Sequence, residues 1–338
     1  METIDPFGGN SFKVASLTAA INHLPNAYGS SRPLFSNIKR ERVRTIIVEE
    51  RNGILTLIQS QDLGGPANQA KKGKRKVRSF VIPHFPLDDV LLPSDYDGIR
   101  GFGTTALQAR AELVTSRLET LKASHDITHE YLRMGAKKGL ILDADGTVLY
   151  DLYQEFNITK QVVYFDLANA NADVPTTCRQ LKRQIEENLR GEIMREVVVD
   201  VSPEFMDALI KHKSVKEIFA ATVKAAEITG GDPRERLVIG SVVFRENNGK
   251  HYPAEGDPVR FVAEGKGHAY PEGTMSSFFT AVAPADFNET ANTLGLEYYA
   301  KMAPRKFDRG YDIHTQSNVL PMCARPGILI ECNMGAKP

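Results

Sequence analysis

Between Thr104 and Lys138, residues Leu107, Ala111, Val114, Leu118, Leu121, His125, Thr128 and Leu132 follow one another in steps of four and three. That spacing puts them on one stripe and predicts a single long helix. Thr105 with Gln108 forms a capping-box pattern at its start, and Lys137, Lys138 and Gly139 suit its end. About thirty residues rising roughly 1.5 Å each span roughly 45 Å, long enough for a structural spine. The flanking chain alternates as strands do. Val43, Ile46, Ile47 and Val48 lead to Asn52-Gly53 and then Ile54, Leu55, Leu57 and Ile58, a strong hairpin signal because both central residues must take positive φ. From Gln59 to Lys76 the chain is polar and Gly-rich. Val77, Phe80, Val81 and Ile82 resume a strand that Pro83 and Pro86 are expected to end. Such an excursion cannot build its own core, and is either floppy or leans on another molecule.

The rest is mixed. Leu140-Ile141-Leu142, the turn Asp143-Ala144-Asp145-Gly146 and Val148-Leu149-Tyr150 predict a hairpin. Further on, helices are expected over Cys178 to Leu189 and from Pro203 and Val215, with strands over Val197 to Val201 and Leu237 to Phe244 and a turn at Asn248-Gly249. The tail predicts a short helix near Glu289 to Leu294 and strands around Ile313 and Ile328 to Glu331. Residues 1–39 hold only a short periodic piece around Val14 to Leu24, and read as an arm that needs a surface to lie on.

Charge narrows the function classes. Lys plus Arg is 42 and Asp plus Glu is 42 over 338 residues, so the chain is no wholesale polyanion binder. Hydrophobic residues at 42% exclude a disordered chain. No apolar run approaches a membrane span, and the start lacks the basic and apolar regions of a secretory signal. Three cysteines, Cys178, Cys323 and Cys332, are too few and too far apart for a disulfide framework, so a soluble protein of a reducing compartment is expected.

Four motifs carry possible chemistry. Leu140 through Thr147 fits the phosphotransferase loop of haloacid-dehalogenase-like phosphatases, in which Asp143 would attack phosphorus and Asp145 act as general acid beside Mg²⁺, with Ser202, Lys213 and Asp232 imitating the later elements. That loop should enter a helix, yet Val148 to Tyr164 stays rich in β-formers, which favours a plain Asp-Gly turn. His125 and His129 lie one helical turn apart, a legitimate metal spacing, but no third ligand is evident, so both are expected to pack on or beside the stripe. Lys71, Lys72, Lys74, Arg75, Lys76 and Arg78 form a basic cluster without interleaved aromatics. Docking between subunits against Asp88, Asp89, Asp95 and Asp97 is the preferred reading. Gly98 to Gly103 precedes the helix but lacks the dinucleotide glycine order, and reads as a flexible joint.

Together these stretches resemble a known family. Val48-Glu49-Glu50, Lys74 through Phe80 running into Ile82-Pro83-His84, Ile99 to Gly103, Thr128-His129-Glu130, Gly139 through Tyr150, and Gln316-Ser317-Asn318 with Leu320-Pro321, Cys323 and Arg325-Pro326 are similar to the major capsid protein E family of lambda-like tailed phages. The likeness runs from about residue 40 to residue 330, and the arm before it matches least. It implies an α+β chain with the Hong Kong 97-type capsid fold. In that fold 1–39 is an N-terminal arm across neighbouring subunits and 40–98 an extended finger. Residues 99–165 and 286–338 make a peripheral domain, with the spine helix over about 104–138 and the 140–150 hairpin and final strands completing its sheet. Residues 166–285 make an axial domain. The implied function is a major head protein that self-assembles as pentamers and hexamers into the icosahedral virion shell around DNA, in the bacterial host cytoplasm. No catalytic residue, cofactor or metal is implied. Its partners would be copies of itself, separate scaffold and portal proteins with or without a decoration protein, and DNA touched weakly; no membrane is implied.

Overall fold

The computed structural model describes residues 12–24, 29–51, 75–96, 106–229, 236–252 and 257–338. The chain divides into two compact units. The first comprises 1–47, 79–130 and 280–321; the second comprises 48–78, 131–279 and 322–338.

In the first unit the predicted helix starts the construction. It runs Ala106–Lys138, its residues through Glu130 belonging here. The predicted stripe is the buried one: Val114, Leu118 and Leu121 pack with Leu91, Tyr298, Ala300, Tyr311 and Ile313. Phe12, and Leu17 and Ile21 from the short helix Val14–His23, join the same core. Over these residues the arm packs on its own chain. Thr18 Oγ1 takes the Ala300 N–H at 3.2 Å, and Asn22 donates to the Tyr298 carbonyl at 2.9 Å. A three-stranded antiparallel sheet orders Tyr299–Pro304, Tyr311–Ser317 and Phe85–Leu91. Pro86 sits inside the last strand instead of ending the previous one, because that strand is an edge where a missing N–H costs no ladder bond. A second three-stranded sheet orders Ile38–Arg40, Phe278–Val282 and Val319–Cys323.

The second unit is built on a six-stranded mixed sheet, in the order Gln161–Tyr164, Ile330–Asn333, Lys266–Glu272, Glu196–Val201, Val242–Glu246 and Leu237–Ile239. One face is apolar: Leu237, Phe244, Val199, Ala269 and Ile330 lie in register across the strands, all buried. Helices Val174–Leu189, Pro203–Lys211 and Lys213–Thr229 cover it, with Phe205 and Phe165 against Phe244. The opposite face carries Arg245, Asp200, His268 and Glu331 in register. The expected strand Leu237 to Phe244 is two strands, because Gly240 and Ser241 take φ +56° and +69° and close a tight hairpin. The final strand Ile330–Asn333, expected in the peripheral sheet, is bonded between Gln161–Tyr164 and Lys266–Glu272. The 140–150 hairpin likewise belongs to this unit, as a two-stranded ladder of Leu140–Leu142 and Val148–Asp151. It reaches the last turns of the long helix because position 135 is glycine: a Cβ there would stand 2.8 Å from the Leu140 carbonyl oxygen. The expected helix at 289–294 shrinks to one 3₁₀ turn at Asn288–Thr290.

Candidate assembly surfaces

Strands Thr45–Arg51 and Arg75–Val81 pair as a two-stranded ladder. Alternation along each strand separates two faces. Ile46, Val48 and Phe80, with Ile82 just beyond, are buried, whereas Val43, Ile47, Val77 and Val81 are each more than half exposed. Ile47, Val77 and Val81, with Val43 just before the first strand, therefore leave a β-branched face open on this chain.

The charged residues expected at subunit contacts are distributed as follows. Lys71, Lys72, Lys74 and Asp97 lie outside the described residues, and Arg75 and Lys76 begin the second finger strand. Arg78 Nε donates to the Glu155 carbonyl at 2.6 Å, and its guanidinium lies 4.6 Å from the Phe156 ring centroid. Asp88 pairs with His314; Asp89 and Asp95 each approach Arg117 at 3.7 Å. Asp88 keeps a side chain 73% exposed, with room for a second partner.

Beneath these surfaces the long helix is fastened by a polar seam that sequence reasoning only partly found. His125 and His129 are both buried, as the stripe predicted. The Thr315 hydroxyl donates to the Leu87 carbonyl, so it accepts from His125 Nε2 at 3.0 Å. Ser317 likewise donates to the Glu297 carbonyl and accepts from His129 Nε2 at 2.6 Å. Tyr298 donates to Asp126 at 2.5 Å, and Lys122 donates to the Leu24 carbonyl at 2.5 Å. Glu130 accepts from the Ser30 hydroxyl at 2.7 Å and the Ser31 N–H at 2.9 Å. These bonds tie helix, arm and strand into one register, since a slip would leave buried polar groups unpaired. The spacing of the two histidines is thus matched by hydroxyl partners on the facing strand.

Burial, followed by the nearby His314, lowers the His125 pKa to about 4. His268 in the second unit is lowered to about 3 by burial and then by Lys138. Unfolded histidine binds its proton near pH 6.5, so below that pH the unfolded chain takes up more protons and stability falls with the pH. Between pH 7 and pH 5 each histidine is expected to remove about 2 kcal/mol. Thermal unfolding of the unassembled chain should show the drop, and His125→Gln should flatten part of it. A melting temperature that does not change over that range would contradict the arrangement.

Asp143 and Asp145 shape a turn. Gly146 N–H donates to the Asp143 carbonyl at 2.9 Å, Gly146 takes φ +85°, and Asp145 accepts from the Thr147 N–H and hydroxyl. A strand follows, not the helix that a phosphotransferase loop would enter. Ser202 caps the helix Pro203–Lys211 through the Phe205 N–H and is fully buried.

The family model for phage major capsid protein E matches residues 13–334. The chain belongs to that family. Against the major capsid protein of Salmonella phage Felix O1 it is 29% identical over 358 residues, covering 96% of this chain and 97% of that one. The major capsid protein of Pseudomonas phage KPP10 is 28% identical over 344 residues, covering 95% and 97%. Among solved structures, a candidate capsid protein of an E. coli CFT073 prophage matches with a TM-score of 0.61 at 14% identity, covering 95% of this chain and 99% of that one. The capsid of Ralstonia phage GP4 matches at 0.51 and 12%, covering 93% and 92%. The fold is therefore the α+β capsid fold of the Hong Kong 97 type, and the function is that of a major capsid protein of tailed phages. The phosphatase reading of Asp143 and Asp145 finds no support in these likenesses, and capsid chains of this family assemble with copies of themselves.

Proposed function

We propose that the capsid chain polymerises as pentamers and hexamers into an icosahedral shell around DNA, assembled in the host cytoplasm with separate scaffold and portal proteins. The open β-branched face at Val43, Ile47, Val77 and Val81 carries this reading, because a two-stranded ladder is marginal alone and gains stability when a second surface covers it. The finger extends over the next subunit, the first compact unit serves as the peripheral domain, and the second, with its helix-covered sheet, as the axial domain. Lys71, Lys72, Lys74, Arg75, Lys76 and Arg78 face Asp88, Asp89, Asp95 and Asp97 of a neighbour. Each exposed pair contributes about 0–1 kcal/mol, so several must act together. The chain's charge balance suits a DNA container, since a strongly cationic shell would condense on nucleic acid before closing.

Sedimentation and negative-stain microscopy of the expressed chain test this reading. Rings, tubes or closed shells are expected from the natural sequence. Joint reversal of Lys71, Lys72, Lys74 and Arg75 to glutamate is expected to lower particle yield most at low salt. A monomer under all conditions would overturn the reading, and an unchanged yield from the reversed variant would remove the charge pairing.

A further inference from the structure

The hairpin joining strands Tyr299–Pro304 and Tyr311–Ser317 has an unusual tip. Arg305 N–H and the Gly310 carbonyl close it at 2.9 Å, and Asp308 N–H donates to the Arg305 carbonyl at 3.2 Å, so Arg305 to Asp308 form a turn. Phe307, at the third position of that turn, adopts φ +63°, ψ +26°, and Asp308 follows with φ +53°. Glycine or asparagine occupies such a position at little steric cost; a bulky aromatic there is a genuine outlier. The strain secures nothing inside this chain, because Phe307 is 88% exposed, more than any other large hydrophobic residue among those described. Folding alone would favour glycine at 307 on both counts. A strained, solvent-facing aromatic points to a function outside the monomer.

The charges around it narrow the partner. Arg305 is paired with Asp312 at 3.2 Å, but Lys306 and Arg309 have no ion-pair partner among the described residues. Phe307 is thus an apolar knob between Lys306 and Asp308, with Arg309 one residue on, and the two cations outweigh the single carboxylate. Two such tips meeting head to head would set four cations against only two carboxylates, so the receiving surface is different from the tip: an apolar recess with an acidic rim. We propose that the Phe307 knob inserts into such a recess on a second copy of the capsid chain. This makes a heterologous contact, the kind that closes subunits into rings. The occupant follows from the family's self-assembly, and the inference rests on the proposed shell-forming function.

The test compares assembly with folding in the full-length chain. Phe307→Gly is expected to leave the melting temperature of the unassembled chain unchanged or raised, and to reduce particle yield at least tenfold. Phe307→Tyr should restore most of that yield. Lys306→Glu with Arg309→Glu should weaken assembly, with the largest effect at low salt. A photo-reactive phenylalanine analogue at 307 should cross-link to a second copy within particles. Normal particles from Phe307→Gly, or cross-links only to DNA or to another protein, would overturn this contact and leave the shell reading standing. Failure of the natural chain to assemble would overturn both.

Discussion

Replacing Lys137 with methionine is expected to destabilise the chain by about 3–5 kcal/mol, the usual cost of leaving a buried charge without its partner. Lys137 ends the long helix and reaches the polar face of the six-stranded sheet. Its ammonium lies 2.8 Å from Asp200 and 3.2 Å from the Tyr270 hydroxyl, which in turn approaches both Asp200 oxygens at 3.1 and 3.2 Å. All three side chains are buried. Burial alone would lower the lysine pKa, yet the Asp200 carboxylate and the Tyr270 ring outweigh it and hold the group above the ordinary lysine value. With the ammonium gone, Asp200 keeps one hydroxyl partner in a dry site. Several kcal/mol is a large share of a typical total stability of about 5–15 kcal/mol. Thermal or denaturant unfolding of the unassembled Lys137→Met chain measures the loss. The double variant Lys137→Met with Asp200→Leu should recover at least half, since apolar substitutes for a buried pair are often tolerated. A single variant as stable as the natural chain would show that the pair holds nothing.

The second large effect is expected on assembly, with little on folding. Ile47→Asp with Val81→Asp places two carboxylates on the open finger face. Both positions are more than half exposed, so the unassembled chain should melt as before. If a neighbour covers this face, each residue contributes about 1.5–3 kcal/mol on burial, and a buried carboxylate opposes contact further. A loss of about 2 kcal/mol per contact raises the concentration needed for association about thirtyfold. Sedimentation should therefore find the variant unassembled where the natural chain forms particles. Particles at full yield would mean that the face stays open in the shell.

How much of this was legible beforehand depended on how far apart the interacting residues lie. The stripe from Val114 to Leu132 repeats within one helical turn, so the helix and its buried side could be read directly. The turn at Asp143 to Gly146 is equally local, whereas the helix capped by Asp173 begins at Val174, four residues before the expected start. A family likeness spread over most of the chain conveyed the fold as a whole, which no single motif did. The neighbours of the strand Ile330–Asn333 were not legible, because nothing in its four residues states which strands will flank it.

Sequence alone determined the long helix, the Asp-Gly hairpin and the family, because each rests on neighbouring residues or on many weak matches summed. The turn expected at Asn52-Gly53 and the strand expected over Ile54 to Ile58 lie outside the described residues. Only the tertiary structure decided what closes each buried polar group. Lys137 finds Asp200 across 63 positions, and His125 and His129 find Thr315 and Ser317 across 190 and 188. It also showed that Phe307 stands strained and exposed while Phe80, on a finger strand, is buried. Both are phenylalanines in short stretches rich in charged residues, and their fates differ because burial and backbone conformation depend on what the rest of the chain brings to that place.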